Sequence, residues 1–389
     1  MAAKTTSTQS KSTTAKNGST QKASTKGGPT KSLLTWTTLA PLIAIVALLL
    51  TWGRHLGTVP VIIVAVALAA AVLAAVHHAE VVAHRVGEPF GSLVLAVAVT
   101  IIEVALIVTL MISGGKDTAS LARDTVFAAV MITCNGIVGL SLFVGAVKYR
   151  LISFNAEGTG AALATVTTLA VMTMVVPTFT TSAPGPEFSS SQLAFAAVIS
   201  LALYGMFVST QTRRHRDFFL PVAHDGEPLE DEHAEPPTDR ETWTSLGLLL
   251  VSLVAVVGLA KVESPAIESG VAAAGFPQSF VGVVIALLVL LPETLAAARA
   301  ARGNRIQTSL NLALGSAMAS IGLTIPAIAI ASIWLEGPLL LGLGPVQMVL
   351  LALTVVVSVL TVVPGRATRL QGGVHLVLLA AFVFLAVNP

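Results

Sequence analysis

The sequence predicts an all-α polytopic membrane protein of about 11 transmembrane helices, one leading helix followed by two inverted five-helix repeats. Three observations carry this expectation. The 389 residues are 54% hydrophobic and only 11% charged, with mean hydropathy +0.85, whereas soluble domains carry about a quarter charged residues. The chain breaks into apolar runs near the ~20 residues a helix needs to cross hydrocarbon. The ~10-residue alternating segments of a membrane barrel do not occur.

Residues 1–32 are Ser, Thr, Lys and Gly without an acid, which reads as a disordered basic tail. It lacks the apolar core of a secretory signal; contact with anionic lipid is an alternative to simple solvation. The first transmembrane helix falls within 33–57, at about 34–52. Repeat one, 58–210, holds helices near 58–76, 90–113, 125–147, 160–179 and 192–210. An acidic, His-containing linker, 211–243, follows. Repeat two, 244–389, holds helices near 244–260, 276–298, 306–333, 338–361 and 370–387. The lone Cys134 excludes an intrachain disulfide.

With the N-terminus in the cytoplasm, 18 of the 22 Lys and Arg residues fall on the cytoplasmic side. Only Arg54, Lys116, Arg123 and Lys261 lie opposite. That is the positive-inside asymmetry, and it supports both the helix count and the orientation. Five crossings per half give the halves opposite orientations, as in the inverted repeats of secondary transporters.

Two acidic side chains lie deep in apolar stretches: Glu103 in FGSLVLAVAVTIIEVALIVTLM and Glu293 in FVGVVIALLVLLPETLAAA. A carboxylate at bilayer depth costs about 2.5–3.5 kcal/mol on insertion scales, so each is a functional candidate by default. Both sit in the second helix of their half, which suggests one site built from two halves. Pro292 precedes Glu293 and removes the hydrogen bond to the Leu288 carbonyl. A carboxylate and a spare carbonyl thus occur together, the oxygen chemistry a hard cation wants. Thr100 lies one turn before Glu103 on the same face. The bland reading of each glutamate is a neutral, hydrogen-bonded side chain. Asn135 in MITCNGIVG, and Asn311 and Ser316 in SLNLALGSAMASIG, place amides and a hydroxyl in the next helix of each half. Gly136 and Gly315 beside them suit close helix approach, and packing alone could explain these residues.

These parts imply a mechanism. Burial disfavours charged carboxylates, and two neighbouring ones titrate as a pair. They hold protons or give them up and hold a cation, and the two occupancies exclude each other. If loaded and protonated forms both cross between inward and outward states, cation exchanges for proton. Strict antiport further requires the empty, doubly charged form to be immobile.

A third cluster, HHAEVVAHRVGEP, puts His77, Glu80, His84 and Glu88 on one helix face at the cytoplasmic end of the second helix. It lacks zinc-protease spacing. A cytoplasmic pH or metal sensor and a wet helix end are the two readings. The acidic insert 224–241 mixes Asp225, Asp231, Asp239 and several glutamates with His224 and His233 but lacks EF-hand spacing, so it reads as a solvated linker. All eight histidines are expected at segment ends or in loops, and no Ser/His or paired-Asp constellation lies at bilayer depth. An intramembrane hydrolase is therefore disfavoured, and the chain is not expected to be an enzyme. A cation channel using the same acidic pair is the other rival.

The runs GEPFGSLVLAVAVTIIEVALI (87–107) and LPETLAAARAARGNRIQTSLNLALGSAMASIGLTIP (291–326) resemble the two alpha-repeats of the cation/calcium exchanger superfamily. The similarity extends from residue 34 onward, and the branch it is most similar to is the bacterial Cha-type calcium or sodium/proton antiporters. The resemblance implies a multi-pass inner-membrane protein driving calcium, or alternatively sodium or potassium, against protons. It implies no resident cofactor, and as partners the lipid bilayer and the transported cations, with no nucleic acid. It carries the functional glutamates onto Glu103 and Glu293, the repeat-one asparagine onto Asn135, and the repeat-two Gly-Ser-Ala onto Gly315, Ser316 and Ala317. One departure stands out. Vacuolar-type exchangers have Gly-Asn three to four residues before each glutamate, where this chain has Val99 and Thr100, and Val289 and Leu290. Two amide ligands are missing, which bears on calcium against sodium or potassium.

Overall fold

In the computed structural model the described residues are 35–389 except 55, 88–89, 115–117, 221–236 and 335–336; for 90–93, 95, 113 and 114 the backbone alone is described. The tail 1–32, Glu88, and His224, Asp225, Asp231 and His233 of the linker lie outside the described residues.

Eleven helical segments follow in order: α1 Trp36–Thr51, α2 Thr58–Val86, α3 Phe90–Gly114, α4 Leu121–Tyr149, α5 Ala156–Thr178, α6 Ser190–Arg214, α7 Asp239–Ala273, α8 Phe280–Arg302, α9 Ile306–Ala331, α10 Pro345–Val362 and α11 Arg369–Val387. Among the described residues nine of them are long and apolar enough to cross a membrane. The other two contain shorter apolar helices, Trp36–Thr51 and Ala96–Ile112. The expected all-α polytopic fold is therefore present.

Two helices outrun their apolar cores. α2 continues through the histidine cluster to Val86, and α7 runs to Ala273, well past residue 260. Hydropathy marks where hydrocarbon ends, whereas Ala, Glu and Lys sustain a helix beyond it. This extension corrects the expectation that Glu103 and Glu293 are the only acids deep in the bundle. Glu263, on the added part of α7, is only 2% exposed. Asp124, in the first turn of α4, is also buried, with Ser120 donating to it and Arg123 pairing with it at 2.8 Å. The histidine expectation also fails: His375 in α11 is fully buried, and His78 in α2 nearly so.

One apolar core joins α1, α2, α3 and α7 with one face of α8. A second joins α4, α5, α6, α9, α10 and α11 with the other face of α8. The third helix of each half packs on the fifth of the other: α4 on α11 and α9 on α6. The α4–α11 crossing is close because Gly139 meets Gly372. A Cβ on Gly372 would stand 2.8 Å from the Gly139 carbonyl oxygen and 2.4 Å from the Phe143 nitrogen.

The bundle has two ends. At one, Arg85 closing α2 pairs with Asp239 opening α7. There Lys148 and Tyr149 at the end of α4 donate to the Arg302 carbonyl at the end of α8. The short strands β1 Ile152–Ser153 and β2 Arg366–Ala367 also pair there, antiparallel. This is the linker end. At the far end Arg123 donates to the Gly342 carbonyl, and Leu340 N–H to that of Ala119.

Candidate functional site

α3 and α8 carry Glu103 and Glu293 as unbroken helices; Pro292 is accommodated within α8. The irregular backbone lies instead in the helices that follow. α4 contains a π-helical stretch, Ile132–Ile137, around Asn135. α9 breaks at Leu323 between Ile306–Gly322 and Thr324–Ala331. Pro326 contributes to this break, since it has no N–H to offer the Gly322 carbonyl. Such interruptions at bilayer depth are tolerated where they are enclosed by protein or line a cavity.

Glu103 and Glu293 line the same cavity, of about 300 Å³. Both carboxyls are enclosed, 3% and 8% exposed, and within electrostatic reach of each other. Glu103 is held by α9: Ser320 Oγ donates to Oε1 at 2.5 Å and Thr324 Oγ1 to Oε2 at 3.1 Å. Glu293 is held less tightly, and its buried Oε2 has no hydrogen-bond partner. Thr100 Oγ1 is likewise buried without a partner on the cavity wall. Two residues of the cavity lining thus hold a buried oxygen unsatisfied, and buried polar atoms are rarely left so.

Most of the expected residues line this cavity: Glu103, Glu293, Thr100, Asn311 and Ser316. Asn311 is engaged on both amide atoms, accepting from Gln307 at 2.8 Å and donating to the Phe219 carbonyl at 2.6 Å. Gly315 faces open space rather than a packed neighbour, whereas Gly136 meets Leu379 as close packing requires. Ala317 packs in the core. Asn135 is turned elsewhere. Its Nδ2 donates to Thr354 at 2.9 Å and its Oδ1 lies 3.2 Å from His375 Nδ1, whose Nε2 lies 3.2 Å from Thr361. Since the Asn135 amide nitrogen serves Thr354, its oxygen accepts, and the proton of neutral His375 belongs on Nδ1.

Ser320 and Thr324 are the site residues that sequence reasoning missed. Their signal was spacing: Ser316, Ser320 and Thr324 recur every fourth residue and form one hydroxyl stripe. Among the described residues no three of His, Cys, Asp and Glu come together as a metal cluster. The site is two carboxylates with hydroxyls, suited to a hard cation.

The cavity extends toward the linker end, since Gln211 in the last turn of α6 and Thr308 in the first turn of α9 are on its wall. Toward the far end α4 and α8 are packed backbone to backbone. A Cβ on Gly282 would stand 2.7 Å from the Thr125 nitrogen. His77, Glu80 and His84 are exposed along α2 near the linker end, and Glu80 is within electrostatic reach of Glu293 and Arg299.

The chain is 44% identical over 361 residues to y4hA of Sinorhizobium fredii, provisionally named an ionic transporter, covering 91% of this chain and 96% of that one. It is 35% identical over 351 residues to the sodium-potassium/proton antiporter ChaA of Escherichia coli, covering 88% and 93%. The structure of native YfkE superposes with a TM-score of 0.66 at 17% identity, over 91% of this chain and 99% of that one, and so shares the fold. The sodium/calcium exchanger protein family matches twice, over residues 56–213 and 244–388, and the chain belongs to that family.

Proposed function

We propose that this multi-pass membrane protein is a secondary antiporter that exchanges a cytoplasmic cation for protons by alternating access. One observation carries the reading: a glutamate from each half of the chain lines one cavity, and two residues of its lining, Glu293 and Thr100, hold a buried polar oxygen without a partner. Two carboxylates so close are neutralised by protons or by a cation, not by both at once. Glu103, preset by Ser320 and Thr324, is a fixed ligand. Glu293 and Thr100 supply mobile oxygens, and Ser316 and Asn311 border the path to the linker end.

The two family matches, 56–213 and 244–388, support the division into a leading helix and two inverted repeats. The positive-inside asymmetry supports a cytoplasmic N-terminus and linker in a bacterial inner membrane. On that orientation the cavity communicates with the cytoplasm and the Thr125–Gly282 packing of α4 on α8 closes the outer side.

Paired carboxylate charge favours a divalent ion, and calcium is the first expectation. A second reading, sodium or potassium, is supported by the two missing amides before the glutamates and by the likeness to the sodium-potassium/proton antiporter of E. coli. Everted vesicles carrying an imposed pH gradient separate these readings. Calcium, sodium or potassium should each be scored for collapsing the gradient as it is taken up. Failure of all three ions defeats the antiporter, and uptake indifferent to the gradient indicates a channel.

A further inference from the structure

Glu263 lies on α7, the helix packed against α1, α2 and the Glu103-bearing α3. It is 2% exposed, and its buried Oε1 has no hydrogen-bond partner. The next residue, Ser264, donates to Glu268 at 3.2 Å and not to Glu263. Pro265 lies one residue further on and cannot donate to the Lys261 carbonyl.

The level of Glu263 is set by Lys261, whose Nζ lies 5.2 Å over the Trp52 ring just beyond α1. It is therefore near the far end. Among the described residues α1 and the outer half of α2 present no titratable side chain, and beyond Glu103 neither does α3. Among the described residues the charged groups at this end are Arg54, Glu187, Lys261, Glu268, the Arg123–Asp124 pair and the C-terminal carboxylate, and Oε1 of Glu263 bonds to none of them.

Enclosing Oε1 without a donor costs less when the carboxyl holds a proton than when it is ionised. A carboxyl that never ionised here would contribute nothing that an apolar side chain would not, and its unsatisfied atom calls for an explanation. The topology supplies one. α2 ends at the linker end with His77, His78, Glu80 and His84 in its last turns; α7 ends at the far end with Glu263 and Glu268 in the matching place. We propose that Glu263 is a third proton-binding carboxyl of this protein, exchanging protons with the far-side solution and serving that side as the α2 cluster would serve the other. This rests on the antiporter reading above.

The test uses the full-length chain in proteoliposomes with pH set independently on the two sides, driven by Na⁺ or Ca²⁺. Glu263→Gln should shift the far-side proton concentration for half-maximal exchange by about tenfold, one pH unit. The linker-side dependence should stay at wild type. Glu263→Asp, which keeps a carboxyl, should retain the far-side response, and covers the case of a Gln variant that does not fold. Infrared spectra of wild type should contain a protonated-carboxyl band that Glu263→Gln lacks. A folded Glu263→Gln variant with wild-type dependence on both sides, or an unchanged carboxyl band, overturns the proposal. If wild type exchanges nothing, the antiporter reading fails, while the infrared comparison still decides whether Glu263 holds a proton.

Discussion

Ser320 of α9 donates a 2.5 Å hydrogen bond to Oε1 of Glu103 on α3, so the second half of the chain holds the carboxylate of the first. Hydrogen bonds to charged groups contribute about 1.5–3 kcal/mol. Ser320→Ala should therefore weaken apparent cation affinity by roughly tenfold or more, with the maximal rate less affected and folded protein recovered normally. Cation-dependent flux measured over a concentration series gives the affinity, and an unchanged value would detach Ser320 from the site.

Glu103→Gln and Glu293→Gln each remove one of the two carboxyls proposed to bind cation and protons. Either change should abolish exchange while the protein still inserts and folds, because an amide fits the same space. Glu293→Gln is the milder for the fold, since Oε2 of Glu293 makes no hydrogen bond that an amide would break. Purified variants compared by vesicle flux and thermal melting provide the check. Wild-type flux in both variants would be fatal to the assignment.

The two glutamates were legible because a carboxyl interrupting an apolar run is conspicuous. Ser320 and Thr324 were not, because small hydroxyls in membrane helices serve packing as often as chemistry. Their four-residue register became meaningful only once Glu103 stood opposite. Glu263 escaped notice because the apolar run stops at Lys261 while the helix continues to Ala273. His375 escaped because its burial is tertiary: the Gly139–Gly372 approach draws α11 onto α4 and encloses the ring. The eleven helices themselves were readable, since hydrocarbon thickness imposes the run length.

Asn135 and Thr100 should respond in opposite ways. Asn135 satisfies Thr354 and His375, so Asn135→Ala leaves both without their partner and should cost about 1–3 kcal/mol. Its melting temperature should fall, and cation affinity of the surviving protein should stay near wild type. Thr100→Val removes a hydroxyl that bonds to nothing, so stability should hold while cation affinity drops. Melting curves and flux titrations on the two variants decide the matter. Lost affinity with full stability in Asn135→Ala would return that residue to the cation site.

Two glycines separate packing from transport by the same added methyl group. A Cβ on Gly372 would stand 2.4 Å from the Phe143 nitrogen and 2.8 Å from the Gly139 oxygen. Backbone cannot retreat as a flexible side chain does, so Gly372→Ala must push α11 off α4 and strain the Asn135–His375 bridge. Overpacking of this kind costs about 1–3 kcal/mol or more, and the variant should melt lower or fail to accumulate. A Cβ on Gly315 meets nothing within 4 Å. Gly315→Ala should fold as wild type yet crowd the cavity wall beside Ser316, lowering transport rate without lowering the melting temperature. Larger residues at 315 should deepen the defect in order of volume. Full transport in Gly315→Leu would mean that cations do not pass along this wall, and the cavity would lose its claim to be the route.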